Sequence, residues 1–166
     1  MDTLIKTTRI DAPEGKQELC IHRDFDAPRE LVYRAFTEAA LISRWLGPAG
    51  MDTVVEKLDN SSHGSWRFVH RDADGNEHAF NGVIHEVCAP ERVIRTFEWE
   101  GMPERGHVSL EFLTLEALPL ERTKMTIQVI YRSVADRDGH VQAGMERGVQ
   151  DSHKKLDTLL ETLKQQ

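Results

Sequence analysis

The sequence predicts an α+β fold, in which a curved antiparallel sheet carries two short helices and is closed by a long C-terminal helix. Three observations lead there. From Met51 to Tyr131 the chain reads as consecutive strands with short turns, the pattern of an antiparallel meander. Two short helical patterns precede that run. The last thirty or so residues, Asp136–Gln166, carry Val141, Met145, Val149, Leu156, Leu159, Leu160 and Leu163 at three- and four-residue steps, one face of a helix.

The elements follow in order. Residues 1–16 read as an N-terminal arm or an extra edge strand, and residues 17–166 as a single domain. Glu18–Phe25 alternates, with Leu19, Ile21 and Phe25 on one side. Asp26-Ala27-Pro28 opens a helix, with Asp26 as N-cap and Leu31, Val32, Ala35 and Phe36 as its apolar face. Glu38–Trp45 is a second short helix, ended by Gly47-Pro48-Ala49-Gly50. The predicted strands are Thr53–Leu58, Ser65–Arg71, Glu77–Val87, Arg92–Trp99, His107–Leu115 and Lys124–Arg132.

The turn Asp72-Ala73-Asp74-Gly75-Asn76 allows a register to be chosen. A three-residue loop with Gly75 left-handed pairs Asp72 with Asn76, and so Phe68 with Phe80, Trp66 with Gly82 and His70 with His78. A two-residue Asp-Gly loop would pair Phe68 with Asn81 instead. The first register gathers Trp66, Phe68, Phe80 and Ile84 on one face and is preferred. The same alternation places Arg95, Phe97 and Trp99, then Val108, Leu110 and Phe112, then Met125, Ile127, Val129 and Tyr131 inward.

Composition narrows the function classes. At 166 residues the chain has room for a sizeable core. A net charge of -7 argues against nucleic acid and anionic membrane as partners. No apolar run approaches a membrane span, and the N-terminus lacks a signal-peptide core. With only two cysteines, Cys20 and Cys88, read as reduced thiols, the expected location is cytoplasmic.

Local motifs resemble a known family. Phe25-Asp26-Ala27-Pro28-Arg29-Glu30-Leu31-Val32 and Arg44-Trp45-Leu46-Gly47-Pro48 are similar to the opening signature of the family related to the activator of the Hsp90 ATPase. Phe80-Asn81-Gly82-Val83-Ile84 with Ala89-Pro90-Glu91-Arg92-Val93-Ile94 resembles its mid-sheet motif, and Gly144-Met145-Glu146-Arg147-Gly148 with Leu156 its closing helix. The resemblance spans roughly residues 17–164. It implies the helix-grip fold (START-like, Bet v1-like) with a cavity between sheet and closing helix. Members of the wider superfamily bind lipids, polyketides or hormones, and some are cyclases or hydrolases. A chaperone partner is the weaker implication, because eukaryotic Hsp90 activators carry an additional N-terminal domain that nothing here matches.

Catalytic signatures are missing from the sequence. Gly64-Ser65-Trp66 is not a nucleophile elbow, His85-Glu86-Val87-Cys88-Ala89 lacks the second His of a zinc-protease helix, and no cysteine pair has zinc spacing. His70 and His78 face each other without an evident third ligand and read as surface histidines, so no metal and no cofactor is expected. The candidate site is the cavity wall: Trp45, Trp66, Phe68, Phe80, Arg95, Phe97, Trp99, Phe112, Tyr131 and Met145. Gly144 and Gly148 are each costly in a helix, and either leave room for a ligand or let the helix sit close to Trp66 and Phe97. Arg95, if inward, needs a carboxylate or an anionic ligand. The expected function is binding of a small apolar or amphipathic molecule. The alternatives are a cyclase- or hydrolase-like enzyme, with Arg95 and Tyr131 as candidates, and a chaperone-interaction protein. Homodimerisation is compatible with a chain of this size.

Overall fold

A computed structural model describes residues 4–166. Eight strands form one antiparallel sheet: β1 (Arg9–Asp11), β2 (Glu18–Phe25), β3 (Asp52–Leu58), β4 (Ser65–Arg71), β5 (Glu77–Cys88), β6 (Arg92–Trp99), β7 (Val108–Leu118) and β8 (Arg122–Ile130). Their spatial order is β1-β2-β8-β7-β6-β5-β4-β3, so among the described residues the one long crossover joins β2 to β3. That crossover holds α1 (Arg29–Thr37) and α2 (Ala39–Trp45). Register shifts at Val55/Lys57 and Ile84/Glu86 put one extra residue into β3 and β5, which bends the strands and curves the sheet.

The β4–β5 hairpin has the expected register. Phe68 pairs with Phe80, Trp66 with Gly82 and His70 with His78, and the Asp72 amide donates to the Asn76 carbonyl. The Asp72 side chain also accepts from the Asp74 and Asn76 amides, fixing the loop. Gly82 is demanded by close approach: a Cβ there would lie 1.9 Å from the Thr96 carbonyl oxygen and 2.5 Å from the Trp66 indole nitrogen. Trp66 thus lies over a position without a side chain and becomes almost fully buried.

Two expectations about helix boundaries are corrected. Asp26 is not the cap of α1; Pro28 holds the N-cap position without a side-chain hydrogen bond, and Asp26 instead forms ion pairs with Arg122 and Lys164. The C-terminal region is two helices, not one: α3 (Val134–Gln142) and α4 (Met145–Lys164). Ser133 caps α3 by accepting from the Asp136 amide, and the chain breaks at Gly144, whose φ of +85° is left-handed. The costly glycine is therefore outside the helix, where its conformational freedom is used. Gly148 alone lies within α4, and a Cβ there would meet only Pro48, at 3.7 Å. Neither glycine is a close approach to Trp66 or Phe97.

Side chains on α4 and β2 fasten the helix to the sheet. Leu156, Leu159, Leu160 and Leu163 are buried against Leu19, Phe25, Val32 and Met125 in the main core. Each fully buried leucine contributes about 1.5–3 kcal/mol relative to exposure. Arg23, only 4% exposed, projects inward from β2 and forms a two-pronged pair with Asp157, both contacts at 2.7 Å. Its guanidinium also lies 4.9 Å from the Phe25 ring centre, while its Nε is left without a partner. His153, one turn earlier on α4, is buried, meets the Phe25 ring edge-on and shares a 2.6 Å hydrogen bond with Thr8. On α3, Arg137 reaches the Pro13 and Glu18 carbonyls, tying that helix to the start of β2.

Burial, then the neighbouring Arg23 charge, lowers the His153 pKa to about 4. It is therefore neutral in the fold, whereas in the unfolded chain it takes up a proton near pH 6.5. The unfolded state binds more protons between those values, so stability falls as pH drops from about 6.5 toward 4. Thermal melts should show a declining Tm over that interval. His153→Gln should flatten the decline by an amount on the order of 3 kcal/mol. The glycines give a second expectation, readable by urea denaturation. Gly148→Ala should stabilise by up to about 1 kcal/mol, and Gly144→Ala should destabilise by about 1 kcal/mol. Equal effects at the two sites would contradict the helix break.

Candidate functional site

The N-terminal half of α4 is thin where its C-terminal half is thick. Met145, Gly148, Val149 and Ser152 face the sheet there, and Gly148 has no side chain to fill the space. A hollow of about 300 Å³ remains between this part of α4 and the concave sheet face. Its floor is Phe68, Phe80, Phe97, Leu113 and Val129; its far wall is Phe36, Ile42 and Trp45 from α1 and α2. A second lobe of about 540 Å³ adjoins it, toward the α3–α4 elbow and Trp99, and shares Phe80, Phe97, His140 and Met145 with the first.

The α2–β3 loop forms the rim. The Gly47 amide donates to the Ser152 hydroxyl at 2.9 Å, and that hydroxyl donates back to the Gly47 carbonyl at 3.1 Å. The Ala49 amide donates to Asp151 at 3.1 Å. These contacts hold the loop and α4 together above the hollow without filling it. Trp45 donates its indole N–H to the Ala35 carbonyl at 2.8 Å and packs against Phe36, so its orientation is set from behind.

Polar groups converge inside this apolar shell. Arg95 on β6 projects inward with its guanidinium 4.4 Å above the Trp66 ring, and its Nε donates to Glu111 on β7 at 2.9 Å. Arg95 and Glu111 are direct cross-strand partners. The phenol of Tyr131 is hydrogen-bonded to Nδ1 of His140, which lies parallel to the Phe97 ring. Burial lowers the His140 pKa, while burial and then the Glu111 charge raise that of Tyr131, so both are neutral near pH 7. His70 is pushed down to about 4 by burial first, then by Lys155 and His78. Thr53 donates its hydroxyl proton to the Leu46 carbonyl at 2.6 Å, so the 2.8 Å contact with His70 is donated by the His70 Nδ1–H. His70 is thus a neutral Nδ1–H tautomer with Nε2 free to accept.

The predicted site residues separate into three groups. Trp45, Phe68, Phe80, Arg95, Phe97, Met145 and Gly148 line the first lobe; Trp99, Tyr131 and Gly144 line only the second. Trp66 lines neither and is a buried support beneath Arg95. Phe112 is a correction: it faces the opposite side of the sheet, opposite Ile94, while Ser109, Glu111, Leu113 and Leu115 point inward. The strand is apolar on both faces, so alternation alone did not fix its parity. The inward position of Arg95 carried the missing signal, since its need for a carboxylate is met by the residue one strand away. His70 is likewise corrected from surface to cavity wall. His140 and Ser152 carry no distinguishing sequence signal, because their place on the wall comes from tertiary partners: Tyr131 for His140 and Gly47 for Ser152. Among the described residues no group of three His, Cys, Asp or Glu side chains is arranged to hold a metal ion.

A search of curated protein sequences finds no significant match. Among solved structures, a protein from Rhodobacter sphaeroides superposes with a TM-score of 0.85 at 22% identity, covering 94% of this chain and 99% of that one. A protein from Arthrobacter aurescens gives 0.83 at 21% identity, covering 93% and 91%. A structure described as the AHSA1 protein from Silicibacter pomeroyi gives 0.72 at 22% identity, covering 87% and 98%. At these identities the likeness establishes the helix-grip fold alone. The family described as Activator of Hsp90 ATPase homolog 1-like protein matches residues 26–161, from the turn before α1 almost to the end of α4. The chain belongs to that family.

Proposed function

We propose that this protein binds a small apolar or amphipathic molecule in the hollow between the concave sheet face and α4. The observation that carries this reading is the space itself: a mostly apolar volume of about 300 Å³, with Arg95, Glu111 and His140 converging on it. Small-molecule sites combine these features, an apolar wall for affinity and a few placed polar groups for orientation. A filled core would have spent a large side chain at position 148, where glycine stands instead. No described helix is long and apolar enough to cross a membrane.

A second reading rests on a separate observation. Tyr131 and His140 form a hydrogen-bonded pair with shifted proton affinities beside Glu111, and perturbed titratable groups gathered in a cleft mark candidate catalytic sites. Under it, His140 would accept a proton from a bound molecule and Tyr131 would orient it, as in a cyclase or hydrolase. The chaperone role carried in the family description has only that description behind it.

Native mass spectrometry of protein purified from its own host separates these readings. We expect an adduct of one small molecule per chain, lost on denaturation. Gly148→Leu should lower its occupancy at least about tenfold while leaving the Tm within a few degrees. A folded protein that never carries an adduct, or a variant that loses Tm and occupancy together, would overturn the binding reading. Conversion of the recovered molecule by wild type but not by His140→Ala would establish the enzymatic one.

A further inference from the structure

Charge balance inside the hollow limits what it can hold. Among the described residues lining the first lobe, the charged side chains are Arg95 and Glu111, and they are paired with each other. The remaining titratable groups there are His70, His140 and His153, which burial keeps neutral near pH 7. The lobe therefore has no net charge to offer a ligand.

The pair is nevertheless not saturated. Arg95 uses its Nε on one Glu111 oxygen. Among the described residues that oxygen is the guanidinium's only hydrogen-bond acceptor, and no other donor reaches the second Glu111 oxygen. Neither residue has a polar atom that is both sealed from the surrounding space and unpartnered. The side chains are 27% and 19% exposed, and both line the hollow. Stacking on Trp66, with Phe68 at 5.8 Å, fixes the plane of the guanidinium. The hollow thus presents a donor and an acceptor side by side, among apolar walls that include Phe97, Leu113, Val129 and Val149.

We propose, resting on the binding reading above, that the ligand is an uncharged amphiphile whose hydroxyl or primary amide docks on the Arg95–Glu111 pair, and that carboxylates are rejected. A hydroxyl or amide accepts from the terminal Arg95 amines and donates to the free Glu111 oxygen. A carboxylate meets a cation that is already neutralised and an anion that repels it, and enters as an unpaired buried charge.

Calorimetric titration of wild type with decanol, decanamide and decanoate at pH 7 tests this. Both neutral probes should bind at least about tenfold more tightly than decanoate. Glu111→Gln, which frees the Arg95 charge, should close or invert that gap. Decanoate binding as tightly as the neutral probes to wild type would overturn the proposal and leave the binding reading intact. A folded Glu111→Gln variant with an unchanged gap would also overturn it. Failure of all three probes to bind would overturn the binding reading, and this proposal with it. A measurement needing no variant is the carbonyl NMR signal of carbonyl-labelled decanamide bound to wild type. It should move downfield of its position in alkane solvent, and a signal at the alkane position would overturn the docking.

Discussion

The concave face of the sheet is largely apolar, and the need to cover it organises the rest of the molecule. Strands β2, β8 and β7 present Leu19, Phe25, Met125 and Leu115, which are buried by the leucine-rich end of α4 together with Val32 and Ala35 of α1. Strands β4, β5 and β6 present Phe68, Ile84 and Phe97, a separate cluster that α4 reaches only through its thin beginning. The break at Gly144 separates α3 from the long α4, so that two helical spans rather than one cover the curved sheet face. What the spans leave uncovered is the hollow. It is a product of where bulk sits along α4, and its position needs no separate device.

Fastening such a helix requires polar groups as well as leucines. Arg23 is deeply buried, and its cost is offset by the double contact with Asp157 and the face of Phe25. Removal of either charge would leave the other stranded, which typically costs 3–5 kcal/mol. Inside the hollow the same rule is met differently. Arg95 and Glu111 neutralise each other across two strands, yet each keeps hydrogen-bonding capacity toward the open space. One ion pair holds the helix to the sheet; the other is the polar feature from which ligand preference is proposed.

Much of this was legible in the sequence, and the parts that were not share a cause. The Asp72–Asn76 turn specified its hairpin because loop chemistry and the aromatic face agreed on one register. The inward Arg95 predicted a carboxylate without identifying it. Phe112 faces away from the predicted side because β7 carries apolar residues on both faces, so hydrophobic alternation gives two answers there. Gly144 reads from sequence as part of a helix because the apolar spacing continues across it. A left-handed residue between two helices preserves that spacing while changing direction. His70 and His140 became visible only through tertiary placement: one beneath the Gly47 loop, the other on the helix before the break.

Xenon binding in a pressurised crystal tests most directly the claim that unfilled apolar space lies beneath the first turns of α4, since dry apolar cavities take up xenon. The account predicts an ordered xenon site between Phe97, Leu113 and Val149 that disappears in Gly148→Leu. Xenon found only on the outer surface, with side chains closed over the position beneath Gly148, would contradict it.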